Sequence, residues 1–346
     1  MKFEVENINE LDELTLKRKE GRVAKNCYSR IFWGLVLYSL IAGVAVFIAE
    51  AVLYFKLGPD GASAALENPY IYWPLTMLSM YLVSFPLFLL YIRRVPARVP
   101  FRDVKIGAGE FTKLFFVSVA VMQIGNVIAN ILVPLIRSYT GYQSTSSEGG
   151  LESMPLPLLI LFAVIIAPII EELIFRKAII DRLGKYGEGM AVAISAIAFG
   201  LFHGNLTQMI YTTLFGFVLG NMYLKSGNIK LTILMHMLVN LFGTLPSILI
   251  ANATDYLLAS PDTASREYLI AIILAVAVPI FFFTCIGIGI VTLFRAKKTG
   301  LFDYYYQTES NISFLSRLRC VLLNPGAICF ILLYGFSIIS TLVPLG

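Results

Sequence analysis

The chain has 346 residues, of which 58% are hydrophobic and 14% charged, and its mean hydropathy is +0.77. Soluble domains carry about 25% charged residues, so this composition excludes an ordinary soluble enzyme and points to an all-α, polytopic membrane helical bundle. The formal charge of +5 is modest; it offers no footprint for a nucleic-acid partner, and the lipid bilayer is the surface the chain is built to meet.

Residues 1–30 begin acidic (Glu4, Glu6, Glu10, Asp12, Glu13) and turn basic (Lys17, Arg18, Lys19, Arg22, Lys25, Arg30). They lack an apolar run, so they are expected to form a solvated cytosolic N-terminal tail near anionic lipid, not a cleavable signal. A helix that crosses the hydrocarbon needs about 20 apolar residues. By that measure nine spans are expected, at 31–54, 71–92, 111–136, 155–175, 190–203, 206–223, 231–250, 269–294 and 321–342. The fifth is short, and the fourth is expected to run on towards Leu183. The chain thus divides into N-terminal transmembrane helices (31–154), a core (155–250) and C-terminal transmembrane helices (251–346).

Alternate loops can be tested for a bias in Lys and Arg. With the N-terminus inside, 24 of the 27 basic residues fall on the inner side, and Lys56, Arg137 and Arg266 fall outside. The expected location is therefore integral in a bacterial plasma membrane, N-terminus cytosolic. Gly200-x-x-x-Gly204 and Gly216-x-x-x-Gly220 are read as sites of close helix approach. Gln123, Asn126 and Asn130 share one face of the third span and are read as interhelical hydrogen-bonding groups. The polar stretch 137–154 is expected as a mobile loop. Cys27, Cys285, Cys320 and Cys329 have no metal or redox spacing and are read as free thiols.

The stretch 155–242 carries the chemistry. Its apolar run is interrupted by Glu171 and Glu172 in APIIEELIFR, by Arg176, by His203 in FGLFHGN, and by His236 and Asn240 in HMLVN. Each charge inside hydrocarbon costs roughly 2.5–3.5 kcal/mol on insertion scales, so such groups are functional candidates by default. His203 and His236 are the only two histidines in the chain. In a helix, residues four apart share a face. Glu172 therefore pairs with Arg176, Phe199 lies with His203, and His236 lies with Asn240. Glu171 is turned about 100° from Glu172 and is left as the unpaired acid.

A buried, unpaired Glu beside imidazoles fits activation of a water molecule, and Asn and His side chains can donate to a developing oxyanion. Glu171 with His203 as the water-activating pair, and His236 with Asn240 as oxyanion donors, makes a peptidase site. Zinc held by Glu171, His203 and His236 is the weaker alternative: HExxH is absent and Asn is an uncommon zinc ligand. A non-catalytic immunity factor, chaperone or transporter is the rival reading of the whole chain.

Taken together, Glu171-Glu172-x-x-x-Arg176, Phe199-x-x-x-His203 and His236-x-x-x-Asn240 resemble the three-motif signature of CPBP-type intramembrane proteases. That family includes type II CAAX prenyl proteases and bacteriocin-processing and self-immunity proteins. The resemblance covers about residues 155–242. It implies an all-helical core of four helices, a cavity open to the cytosolic side, and hydrolysis of a peptide bond in a membrane-associated peptide or protein. It implies Glu171 as the catalytic glutamate, His203 as its partner, His236 and Asn240 at the oxyanion, and Glu172 and Arg176 as supports. No cofactor is expected. One tension follows from helix rise: His236 stands only about 9 Å above Lys230, whereas Glu171 and His203 stand about 18–20 Å into their helices.

Overall fold

A computed structural model describes residues 2–97, 104–141, 154–259, 265–299 and 310–343, with Leu301, Tyr306 and Thr308. Among them every regular element is helical. We number the helices α1 (Lys2–Glu67), α2 (Pro69–Ile92), α3 (Ala108–Thr140), α4 (Leu156–Tyr186), α5 (Glu188–Leu201), α6 (Leu206–Ser226), α7 (Ile229–Ala259), α8 (Arg266–Thr299), α9 (Phe314–Leu322) and α10 (Pro325–Ser340).

Six of these helices are long and apolar enough to cross a membrane, or seven if α9 and α10, bent by 58°, count as one span. The difference from nine lies in the middle of the chain. Helix α5 has 14 residues, short of the bilayer thickness. Helix α6 is long enough but carries Gln208, Thr212, Thr213, Asn221 and Lys225. These two pack against each other as a hairpin.

The N-terminal segment is not a separate tail. Helix α1 runs unbroken from Lys2 until Gly58, where φ of +73° and the following Pro59 kink it. Proline has no N–H for the preceding turn, and glycine alone takes the left-handed backbone at no steric cost. Ala24, Cys27 and Tyr28 are buried, because the helix continues straight into the bundle. The side chains of Glu4 to Glu13 lie outside the described residues.

The basic loops converge on one end of the bundle. Arg182 Nε donates to the Ile92 carbonyl at 3.4 Å, and Val104 N to the Lys225 carbonyl at 3.1 Å. Lys225 pairs with Glu110, Arg317 donates to the Tyr186 carbonyl, and Asn324 donates to the Lys25 carbonyl. Arg137, on the other side of the charge tally, donates instead to the Thr341 carbonyl at the end of α10.

Glycine sets the close crossings. A Cβ on Gly216 would stand 2.9 Å from Ala196 Cα, and one on Gly220 would stand 3.0 Å from Val192 Cγ1. Gly200 faces Met209 and Thr213 of α6. Gly204 works differently, taking φ of +68° in the turn between α5 and α6. Gly125 brings α3 against Tyr211 of α6. The amides of Gln123, Asn126 and Asn130 make no hydrogen bond to another described residue, contrary to the role expected of that face. Residues 137–140 continue α3, and 142–153 of the expected mobile loop lie outside the described residues. The four cysteines are free.

Candidate active site

Helix α4 changes its winding at the acidic pair. Glu171 ends a stretch of ordinary α-helix, Ala167–Glu171, and Glu172–Ile180 widens into π turns. Two more wide stretches occur at Ile160–Ile166 in α4 and at Ser79–Ser84 in α2. Wide turns are rare and gather at functional sites, because they re-aim side chains within a helix.

Glu172 and Arg176 stand 3.2 Å apart (Oε2 to Nε), both fully buried. The contact is an ion pair without hydrogen-bond alignment, for neither atom has a well-directed partner. The guanidinium carbon lies 4.6 Å over the Phe199 ring, and Nη1 and Nη2 find no acceptor among the described residues. The cation is thus held by one carboxylate and one aromatic face.

His236 reaches across from α7 and stands between the two acids. Its Nδ1–H donates to Glu172 Oε1 at 3.1 Å, and its Nε2 faces Glu171 Oε2 at 3.6 Å. An ionised carboxylate only accepts, so the pair with Arg176 fixes the proton on Nδ1 and leaves Nε2 for Glu171. Phe199 and Phe215 hold the imidazole edge-on, at 5.6 and 5.3 Å between centroids. His236 is 3% exposed, while the Glu171 side chain is 18% exposed. Glu171 is therefore the acid that a water molecule can reach.

The depth tension is resolved by the turn between α6 and α7. Tyr223 donates to Asp181 Oδ1 at 2.8 Å, which sets the end of α6 level with α4 about three turns past Glu171. Helix α7 starts there, at Ile229, so seven residues bring His236 to the height of the acids.

His203 sits in the α5–α6 turn. Its ring packs edge-on to Phe199 at 5.0 Å, and its Nδ1–H donates to the Phe199 carbonyl at 2.8 Å. Because a carbonyl only accepts, Nε2 of the neutral ring is left as an acceptor. His203 forms no hydrogen bond or ion pair with Glu171, and the imidazole in direct contact with that acid is His236. Asn240 spends one amide hydrogen on the Ala163 carbonyl at 2.9 Å and keeps the other. Among the described residues no three or more His, Cys, Asp or Glu side chains are grouped so as to hold a metal ion, and Glu171, His203 and His236 do not fit a zinc set as they stand.

Two polar groups arrive from helices outside the motif-bearing stretch. Tyr38 of α1 and Tyr81 of α2 are both buried, and the Tyr38 ring packs 5.4 Å from Phe202, the neighbour of His203. Sequence reading passed over them because a tyrosine in an apolar span is ordinary.

Residues 153–242 match the family model described as Type II CAAX prenyl endopeptidase Rce1-like. This stretch carries a CPBP-family domain. Over 217 residues the chain is 27% identical to a protein of Bacillus subtilis (strain 168) named "Putative membrane peptidase YdiL", covering 61% of this chain and 86% of that one. No solved structure matches significantly. The CPBP domain and the relative support a membrane protease that acts on membrane-associated peptide substrates. The matched stretch holds Glu171, Glu172, Arg176, Phe199, His203, His236 and Asn240; Tyr38 and Tyr81 fall outside it.

Proposed function

We propose that the chain is an intramembrane endopeptidase in which Glu171 activates water against a peptide bond of a lipidated or leader-containing membrane peptide. The reading is carried by one observation: His236, held by Glu172 on one side, faces the partly open Glu171 at 3.6 Å on the other. Glu171 takes a proton from water as the water oxygen bonds to the carbonyl carbon, and the C=O electron pair moves onto oxygen. Collapse of that intermediate expels the amine, which receives the proton held by Glu171.

The other groups have roles that follow from their fixed hydrogen bonds. His203, its Nδ1–H tied to the Phe199 carbonyl, presents an Nε2 lone pair that can hold the water. The second amide hydrogen of Asn240, and His236 when its ring carries both protons, are assigned to the oxyanion. Glu172 and Arg176 orient His236. The basic end of the bundle is assigned to the cytosol of a bacterial plasma membrane, and no cofactor enters this scheme.

The test is a comparison of membrane peptides by mass spectrometry in cells lacking the gene, complemented by wild type or by Glu171→Ala. Uncleaved precursors that accumulate in the null strain and persist with Glu171→Ala support the reading. Full complementation by Glu171→Ala would instead mark a non-catalytic immunity, chaperone or transport role.

A further inference from the structure

Helix α10 reaches from one end of the bundle to the other without help from α9. Asn324, just before it, donates to the Lys25 carbonyl at the basic end. Arg137 and Thr140 of α3 donate to the Thr341 and Leu342 carbonyls at the other end. The 16 residues of α10 rise about 24 Å, close to the ~30 Å of a hydrocarbon core. The nine residues of α9, turned by 58° from that line, have no crossing left to make.

Depth along α1 places α9 at the membrane surface. Helix α2 passes from apolar to basic at Ile92 and Arg93. Arg182 ties that level to α1, because its Nε donates to the Ile92 carbonyl and its own carbonyl accepts from the Cys27 thiol. The Cys320 thiol of α9 donates to the Gly21 carbonyl at 3.9 Å, and Asn324 to that of Lys25. At the helix rise these contacts lie about 3–9 Å beyond Cys27. One headgroup layer is roughly 5–8 Å thick.

The two halves of α9 meet different surroundings. Cys320 packs on Gly21, and Arg317 donates to the Tyr186 carbonyl at the end of α4. At about 100° per residue, Phe314, Leu315, Leu322 and Leu323 gather on the opposite half, where they are 53–67% exposed. Arg319 is exposed among them. The chain then enters α10, whose exposed Ile328, Leu332 and Phe336 face lipid at i, i+4 and i+8. On α1, next to Gly21, the exposed Arg18, Arg22 and Lys25 share one face at i, i+4 and i+7. The acid nearby, Glu20, accepts from the Asn311 N–H at 3.3 Å. A short helix with leucine and phenylalanine outward and cations around it is the composition of a helix that lies in the interface plane.

We propose that α9 lies in the membrane surface at the basic end of the bundle, with Phe314, Leu315, Leu322 and Leu323 in the boundary between headgroups and acyl chains, and that Arg319, Arg18, Arg22 and Lys25 bind the phosphates of anionic lipid there. Arginine forks match phosphate oxygens, and basic groups beside a membrane draw in anionic headgroups. Through Arg317 the lipid-held helix is tied to the end of the helix that carries Glu171. The lipid site holds whatever reaction Glu171 performs.

The test uses the full chain in nanodiscs of equal parts phosphatidylcholine and phosphatidylglycerol, with bromine on the acyl chains of one lipid or the other. Phe314→Trp and Leu322→Trp are read separately, as the emission each adds over the wild type's Trp33 and Trp73. Both positions are exposed, so neither substitution enters the core. We expect brominated lipid to quench both and aqueous iodide to quench neither, with brominated phosphatidylglycerol at least about twofold more effective than brominated phosphatidylcholine. In the background Arg18→Gln, Arg22→Gln, Lys25→Gln and Arg319→Gln the two lipids should quench equally. Quenching by iodide and not by lipid would overturn the proposal by placing α9 in water. Protection from both quenchers would overturn it by showing the face covered by protein, a second copy included. Equal quenching by the two lipids in the unmodified background, or a preference that survives the four substitutions, would overturn the anionic-lipid site.

Discussion

Glu172→Gln keeps the shape of the side chain and removes its charge, leaving the fully buried Arg176 cation without its ion-pair partner. At 3.2 Å two unit charges attract by about 5 kcal/mol at an effective dielectric of about 20. The Phe199 face 4.6 Å away holds the cation equally in both forms and cancels, whereas the neutral amide escapes part of the carboxylate's desolvation cost, which returns about 2 kcal/mol or more. The hydrogen bond from His236 Nδ1 at 3.1 Å loses its charged acceptor, worth about 1 kcal/mol more. The sum agrees with the ~3–5 kcal/mol found when one partner of a buried pair is removed. Unfolding should therefore become about 10²–10⁴-fold more favourable. Reversible unfolding in mixed detergent micelles, followed by circular dichroism, gives the value. Adding Arg176→Met should recover more than half of the loss, because the orphaned charge goes with it. A single variant within about 1 kcal/mol of wild type, or a double variant in which the losses simply add, would refute the reasoning.

Other outcomes follow from the same contacts. Gly216→Leu places side-chain atoms where a Cβ already stands 2.9 Å from Ala196 Cα, so α5 and α6 must part; we expect a loss of about 1–3 kcal/mol by micelle unfolding and reduced cleavage through a displaced His203. Purified protein treated with EDTA and dialysed should cleave at the untreated rate. Loss of cleavage restored by zinc would contradict the roles given to Glu171, His203 and His236. Asn240→Ala should lower kcat by about 10²-fold if its free amide hydrogen meets the oxyanion, measured on membrane-anchored peptides. Wild-type kcat would remove it from the site.

The membrane class and the acidic and imidazole residues were legible because a charge in hydrocarbon stands out against its neighbours, and i,i+4 spacing was enough to pair Glu172 with Arg176. Three features were not. The partner of Glu171 depends on the height of the α6–α7 turn, which Tyr223 and Asp181 set through a contact 42 residues apart in sequence. The wide turns of α4 and α2 have no composition of their own; their carbonyls are simply re-paired by packing. The count of nine spans is not reached at α5 and α6, a 14-residue helix and a more polar one that pack together through a glycine-lined crossing. The lack of an apolar run marks residues 1–30 as a solvated tail, but nothing in the composition stops the helix there, and Tyr28 is carried into the core.

Glu171→Gln is the most direct measurement of the central claim, since it preserves the side chain's shape and its contact with His236 while abolishing its capacity to take a proton. Single-turnover cleavage of a farnesylated peptide in liposomes should fall by about 10²–10⁴-fold, with the melting temperature held. Cleavage at the wild-type rate by a correctly folded Glu171→Gln protein would contradict the account.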